Sequence, residues 1–330
     1  MSLRFWSVSL CLLSGATATA EPPRAEIAID AVAAPSLQGA IDALPEGGGR
    51  ITLSPGVYRQ KVTIARRNVQ LRGTGKKPGD VIIVWGDSHT TVGGTIKSAT
   101  LTVSGDGFRA DNLTIQNDFA WQSSEGSQAV ALAVSGDRAA FHRVRLLGAQ
   151  DTLYAGSRKC AAEPCPVSRQ YFRDCYIEGH VDFIFGDANA FFDRCEIHAL
   201  AHPEIMLTAH SRTAADQDKA YVFDHCRITA AAGAGTIYLG RPWRDYARVI
   251  FMNTRMDAQV HPAGWREWTP GTTQRLKTAY YAEYRPRGKF AAVGAREPLS
   301  HQLSAAEAGQ WRKEVFLAAG DGWQPWRHGN

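Results

Sequence analysis

A short pattern that returns six times sets the tightest limit on what this chain can fold into. It consists of an apolar residue, two variable residues, a small or apolar residue, one variable residue and an aliphatic residue. The copies are Ala110/Leu113/Ile115, Phe141/Val144/Leu146, Phe172/Cys175/Ile177, Phe192/Cys195/Ile197, Phe223/Cys226/Ile228 and Phe251/Thr254/Met256. Successive copies are 31, 31, 20, 31 and 28 residues apart. Helical periodicity is scarce. Short alternating runs rich in Val, Ile and Thr, at residues 60–64, 68–72, 101–103 and 129–134, are punctuated by Gly, Asn and Asp, which reads as strands and turns. One strand-built unit per 20–31 residues predicts an all-β parallel β-helix, with Phe stacked on Phe and Cys on Cys from coil to coil. A β-sandwich also offers many short strands, but it wants hairpin turns every 8–12 residues and no register-locked ladder. Unequal steps imply loops of different length leaving the stack, the usual place for a binding face.

The ends carry the signals of caps. Residues 36–44 (SLQGAIDAL) form a short helix-like stretch expected before the first strand. Residues 304–317 (SAAEAGQWRKEVFL) give the strongest helix pattern, with Ser304 as N-cap and Glu307 three residues on. Residues 1–20 read as a secretory signal: Arg4, a short apolar run, then Ala18-Thr19-Ala20 as small residues at the cleavage positions. Residues 21–330 are then expected to form one domain, secreted or periplasmic and without a membrane anchor. Of the five cysteines beyond the signal, Cys160 and Cys165 could close a disulfide loop in an oxidising compartment. Cys175, Cys195 and Cys226 belong to the repeat and are expected as a buried ladder. No CxxC or zinc-finger spacing occurs, so no metal is expected. The charge is only +5, spread along the chain, which argues against nucleic acid as a partner and leaves other polyanions open.

Seven residues after the repeat's fourth position lie Asp151 (from Val144) and Asp182 (from Cys175), one coil of 31 residues apart. In-register coils would place their backbones about 4.8 Å apart. Two carboxylates that close cannot both ionise cheaply, so one tends to keep its proton beside an ionised neighbour, giving an acid–nucleophile pair. Two solvated loop carboxylates that coincide in register would produce the same spacing. The neighbourhood favours chemistry. Gln150 could donate to a developing oxyanion, Asp182 stands before the apolar run Phe183-Ile184-Phe185-Gly186, and Arg241 is a candidate partner on a later coil.

Several motifs then occur in order: Gly56-Val57-Tyr58, Ser98-Ala99-Thr100, Gln128-Ala129-Val130-Ala131-Leu132 and Gly148-Ala149-Gln150-Asp151-Thr152-Leu153-Tyr154. They are followed by Asp182-Phe183-Ile184-Phe185-Gly186, Leu239-Gly240-Arg241-Pro242-Trp243, Gly264-Trp265 with Trp268, and Asp321-Gly322-Trp323-Gln324-Pro325. Over roughly residues 28–326 the chain resembles the pectin methylesterases (pectinesterases) of carbohydrate esterase family 8. The resemblance implies a right-handed parallel β-helix that removes methyl groups from esterified galacturonan, acting without cofactor or metal and as a monomer. It further implies Asp182 as nucleophile, Asp151 as general acid and then base, Gln128 and Gln150 at the oxyanion, and Arg241 fixing Asp182 and keeping it ionised. Tyr154, Phe185, Trp243 and Trp265 are candidates for stacking on sugar rings.

Two departures from the family pattern stand out. Gln60 follows Arg59 where Glu is usual, and His210-Ser211 stand where the family tends to have Gln-Gly. Residues 156–168 lengthen the loop between the two aspartates and are expected to wall the cleft. His198 and His202, four apart, read as loop residues rather than metal ligands. A lyase or a polygalacturonase on the same scaffold would not explain Gln128 and Gln150. The absence of G-x-S-x-G disfavours a serine esterase. A relative acting on other esters or thioesters, or a non-catalytic polysaccharide binder, stays open on sequence.

Overall fold

The computed structural model describes residues 25–30, 36–159 and 167–327. The expected export signal and the Cys160–Cys165 pair lie outside the described residues. The repeat positions pair coil on coil in parallel, Ala110 with Phe141, then Phe172, Phe192, Phe223 and Phe251 in turn. From Phe141 onward the rings stack almost flat, with centroids 4.6, 4.8, 4.3 and 4.4 Å apart. This is a parallel β-helix whose core is a column of aromatic faces. Cys175, Cys195 and Cys226 are free thiols buried beside that column. Each Sγ donates to the carbonyl of the Phe one coil back: Phe141, Phe172 and Phe192.

Each coil turns sharply just before the repeat's fourth position. The residues there are Asn112, Arg143, Asp174, Arg194, His225 and Asn253, all left-handed with φ between 51° and 55°. In two coils the strand runs through this corner, as Arg109–Asn117 and Ala139–Leu147; in the other four it breaks there, as between Arg169–Arg173 and Tyr176–Gly179. The first two faces of the solenoid therefore join into one sheet of 17 strands. A third face is a separate seven-stranded sheet that ends on Arg241–Pro242.

Two end features differ from expectation. The helix Leu37–Ala43, capped by Ser36, whose side chain accepts from the Gly39 amide, does pack Leu37 and Ile41 onto the core end. However, the strand Glu26–Ile29 precedes it and pairs with Gly49–Leu53. At the other end Ser304 and Glu307 form the expected reciprocal cap, but the single long helix is two short ones, Ala305–Gly309 and Lys313–Phe316. Trp311 and Phe316 would point about 140° apart on one helix. With the break at Arg312, which is extended, both rings reach the same apolar surface. That surface is the outer side of the first face, where Tyr171, Phe191, Val222, Ile250 and Ala282 alternate with the inward residues. A sheet apolar on both sides needs a cover, so the C-terminal segment lies along the sheet as a strap. It is fastened by Arg169, which is buried and bonds both Asp137 and Asp321.

Candidate active site

Asp151 and Asp182 stand in the turns that lead from the second face to the third. Leu153 pairs with Ile184 across adjacent strands, and the Asp151 amide donates to the Val181 carbonyl at 3.1 Å. The two aspartates therefore occupy equivalent places on successive coils. Both have positive φ, 63° and 50°, a conformation Asp tolerates better than most residues and one that recurs at functional sites. Gly186 ends the following strand at φ 120°, where a Cβ would come 2.4 Å from the Ala155 carbonyl. Gly240 lies against Thr208 Oγ1, 2.1 Å from where a Cβ would be. Close coil contact thus explains the glycines that flank the Asp182 and Arg241 motifs.

Arg241, two coils beyond Asp182, grips it with both arms: Nε donates to Oδ1 at 2.9 Å and Nη2 to Oδ2 at 2.7 Å. Among the described residues no cation bonds Asp151 directly. Both carboxylates are more than nine-tenths buried. Burial pushes the Asp151 carboxyl well above its usual range, with the neighbouring Asp182 adding to the rise and Arg241 opposing it. Burial also raises Asp182, though Arg241 pulls it back through hydrogen bond and charge. Arg241 thus acts on Asp182 in the expected direction, toward the ionised form, against a larger opposing influence of desolvation.

A cleft of about 480 Å³ opens over the pair, and Gln128, Gln150, Phe185, Arg241 and Trp243 all line it. Among the described residues neither glutamine side chain has a hydrogen bond to protein, and both line the cleft. Phe185 packs at 6.0 Å from Trp243 and 5.2 Å from Tyr154. Tyr154 sits behind Phe185 and is largely covered; burial, then the charge of Asp187, pushes its hydroxyl up to about 12.

Trp265 does not reach the cleft. It is 1% exposed and stacks on Tyr281 at 4.2 Å within the core, because the coil brings it into a bridge with Gly240 facing inward. The ring in the cleft is Trp268, with the Arg241 guanidinium 4.4 Å over it. Sequence reasoning also missed Glu267. This buried carboxylate accepts from the amides of Trp268 (2.7 Å), Arg275 and Leu276 (both 3.0 Å) and so anchors the loop that presents Trp268. Arg275 in turn donates to the Trp243 carbonyl at 2.7 Å. The signal was an acid directly before Trp268. The cleft's opposite rim, residues 94–97, was also not anticipated.

The two departures lie away from the cleft. Gln60 accepts from the Leu37 amide at 2.7 Å and supports the first helix. His210 is fully buried behind the third face, accepting from the Arg248 amide at 3.1 Å, edge-on to Tyr221. Burial holds it neutral, its pKa pushed down to about 3. His198 is on the strand Glu196–Ala199 rather than in a loop, bonded to Thr229. His202 bonds the Glu204 carbonyl and stacks on His180.

A parallel β-helix with a cleft over paired, buried carboxylates presents a candidate acid–base catalytic site, and the comparisons narrow the class. The chain matches the Pectinesterase family over residues 28–321 and belongs to it. It is 36% identical over 296 residues to pectinesterase 31 of Arabidopsis thaliana, covering 86% of this chain and 88% of that one. Among solved structures, the pectin methylesterase from carrot superposes with a TM-score of 0.80 at 31% identity, over 93% of this chain and 96% of that one. PemA, the pectin methylesterase from Erwinia chrysanthemi, gives 0.71 at 29% identity, over 88% and 94%. A pectin methylesterase solved in complex with a hexasaccharide gives 0.70 at 29%, over the same shares. The fold is thus the parallel β-helix expected from the repeat, with the right hand that the resemblance implied.

Proposed function

We propose that this enzyme, a carboxylic ester hydrolase by family, removes methyl groups from methyl-esterified galacturonan through Asp182 and Asp151. The observation that carries the residue roles is the contrast within the pair. Asp182 is held at both oxygens by Arg241, while Asp151 has no such partner among the described residues and is driven toward its protonated form.

Asp182 attacks the ester carbonyl carbon, and Gln128 and Gln150 donate to the oxyanion that forms. The bond to methoxide breaks as Asp151 gives it a proton, so methanol leaves and an acyl anhydride joins substrate to Asp182. Asp151, now ionised, takes a proton from water. The hydroxide attacks the substrate's acyl carbon and the anhydride bond breaks, leaving ionised Asp182 beside protonated Asp151, while the uronic acid formed gives its proton to solvent. Phe185, Trp243 and Trp268 supply flat faces for the sugar rings.

The signal read from residues 1–20 fits an enzyme that meets its polymer outside the cell. No described helix is long and apolar enough to cross a membrane. One chain carries every residue the reaction uses, consistent with action as a monomer. The test is methanol release from highly methylated pectin by the purified protein, with viscosity followed in parallel. Methanol at constant viscosity is the expected result. Falling viscosity would assign chain cleavage instead, and a folded protein that releases no methanol would point to another ester.

A further inference from the structure

The catalytic cleft is lined by two cations, and they are not alike. Arg241 is committed to Asp182 through both arms. Lys97, on the rim formed by residues 94–97, is exposed, and among the described residues its side chain has no hydrogen bond or ion pair. The neighbouring Lys61 differs. Its Nζ donates to Asp87 at 2.5 Å and to the Lys97 carbonyl at 2.6 Å. Lys61 therefore takes the acid at this rim and steadies the backbone of Lys97, whose own charge is left for something else.

The turn that carries Lys97 is fixed in place. Residues Ile96–Ser98 form one tight turn, closed by the Ser98 amide on the Thr95 carbonyl at 3.1 Å and the Ala99 amide on the Ile96 carbonyl at 3.2 Å. Ser98 is buried and accepts from the Val130 amide at 3.0 Å through Oγ, while Asn117 donates to its carbonyl at 3.2 Å. Val130 lies two residues past Gln128, so the turn is tied to the segment that brings Gln128 into the cleft.

A methyl ester and the carboxylate it becomes differ by one negative charge at the same point of the sugar. A lysine ammonium is a compact charge with three donors on a flexible stem, suited to finding one such group. The cleft's own carboxylates, Asp151 and Asp182, lie buried beneath the reacting ester, and Phe185, Trp243 and Trp268 line its other parts. We propose that Lys97 determines specificity within the cleft: on a sugar beside the one being hydrolysed, it selects a free carboxylate over a methyl ester. The identity of the polymer rests on the proposed function; the unpaired ammonium in the cleft does not. A carboxylate made in one turnover then becomes a handle for the next.

The test measures kcat/KM for methanol release, per ester, on fully esterified oligogalacturonates and on the same lengths with about half of the esters removed. The full chain is compared with Lys97→Met, which keeps the stem and removes the charge, and with Lys97→Arg. The wild type should favour the partly free set about threefold to fivefold, through KM rather than kcat, and less so at high salt. Lys97→Met should lose that preference and Lys97→Arg should keep it. A wild type without the preference, or a Lys97→Met protein that retains it, would overturn the proposal. Binding of a labelled, fully de-esterified oligogalacturonate, read by fluorescence anisotropy, separates the two readings. If the wild type makes no methanol yet Lys97→Met weakens this binding by the same factor, the functional reading fails and the selection by Lys97 stands. If methanol forms and neither binding nor preference changes in Lys97→Met, the role of Lys97 alone fails.

Discussion

The same guanidinium–carboxylate pairing occurs at the cleft and under the strap, with opposite consequences. Arg241 holds Asp182 through bonds of 2.9 and 2.7 Å; Arg169 holds Asp321 through bonds of 2.9 and 2.6 Å. At the cleft the carboxylate is buried, and burial raises it despite the arginine. Under the strap the Asp321 side chain keeps 30% of its surface in water, and the Arg169 hydrogen bond leads, holding it far below the usual carboxylate range. An arginine bond of a given geometry therefore does not fix protonation; access to water decides which influence prevails. The cleft keeps an expensive arrangement that chemistry can use, whereas the strap keeps a fastening.

The largest expected effect comes from breaking the cleft side. Asp182→Ala should lower methanol release by at least about 10³-fold while the protein stays folded. Near-normal turnover in the folded variant would remove Asp182 as nucleophile. Arg169→Ala should do the reverse, costing about 3 kcal/mol in a denaturant titration because two carboxylates lose their buried partner, with turnover per folded molecule unchanged. A matching loss of turnover would show that strap and cleft are coupled.

Proton linkage sharpens the contrast. Asp151 is raised, so the stability it contributes is present below the usual carboxylate range and lost as pH rises through its folded value. Asp321 is lowered, so its contribution is present above the usual range and lost as pH falls. Asp151→Asn should consequently raise the neutral-pH Tm by roughly 2–4 °C, a gain that disappears in acid, while abolishing most turnover. In the wild type kcat/KM should follow a bell: it falls in acid as Asp182 protonates and in base as Asp151 loses its proton. The smallest effect belongs to Glu267→Gln. Weakening the three amide bonds behind Trp268 should cost roughly three- to tenfold in kcat/KM, about 1 kcal/mol, with little change in Tm. A loss confined to stability would make Glu267 purely structural.

The repeat made the stacking register legible, and with it the alignment of Asp151 and Asp182. Side chains that alternate on a strand announce which way they point. The left-handed corner residues were invisible, because Asn112, Arg143 and His225 share a backbone conformation and no chemistry. Trp265 and Trp268 could not be told apart for a related reason. Gly264-Trp265 lies in a loop, where no alternation says which ring turns inward. The strap was misread as one helix because propensity and capping favoured it, while the apolar surface it must cover begins at Tyr171, more than a hundred residues earlier in the chain.

That distance has a consequence for how the molecule is made. A solenoid can add coils one at a time, each resting on the last. Arg169 and Asp321 are 152 residues apart, so the middle coils of a growing chain stand with an apolar flank uncovered until the strap itself emerges. Synthesis, not only sequence, sets when this β-helix closes, and a tail clipped early leaves behind a stack that is coiled yet exposed along one side.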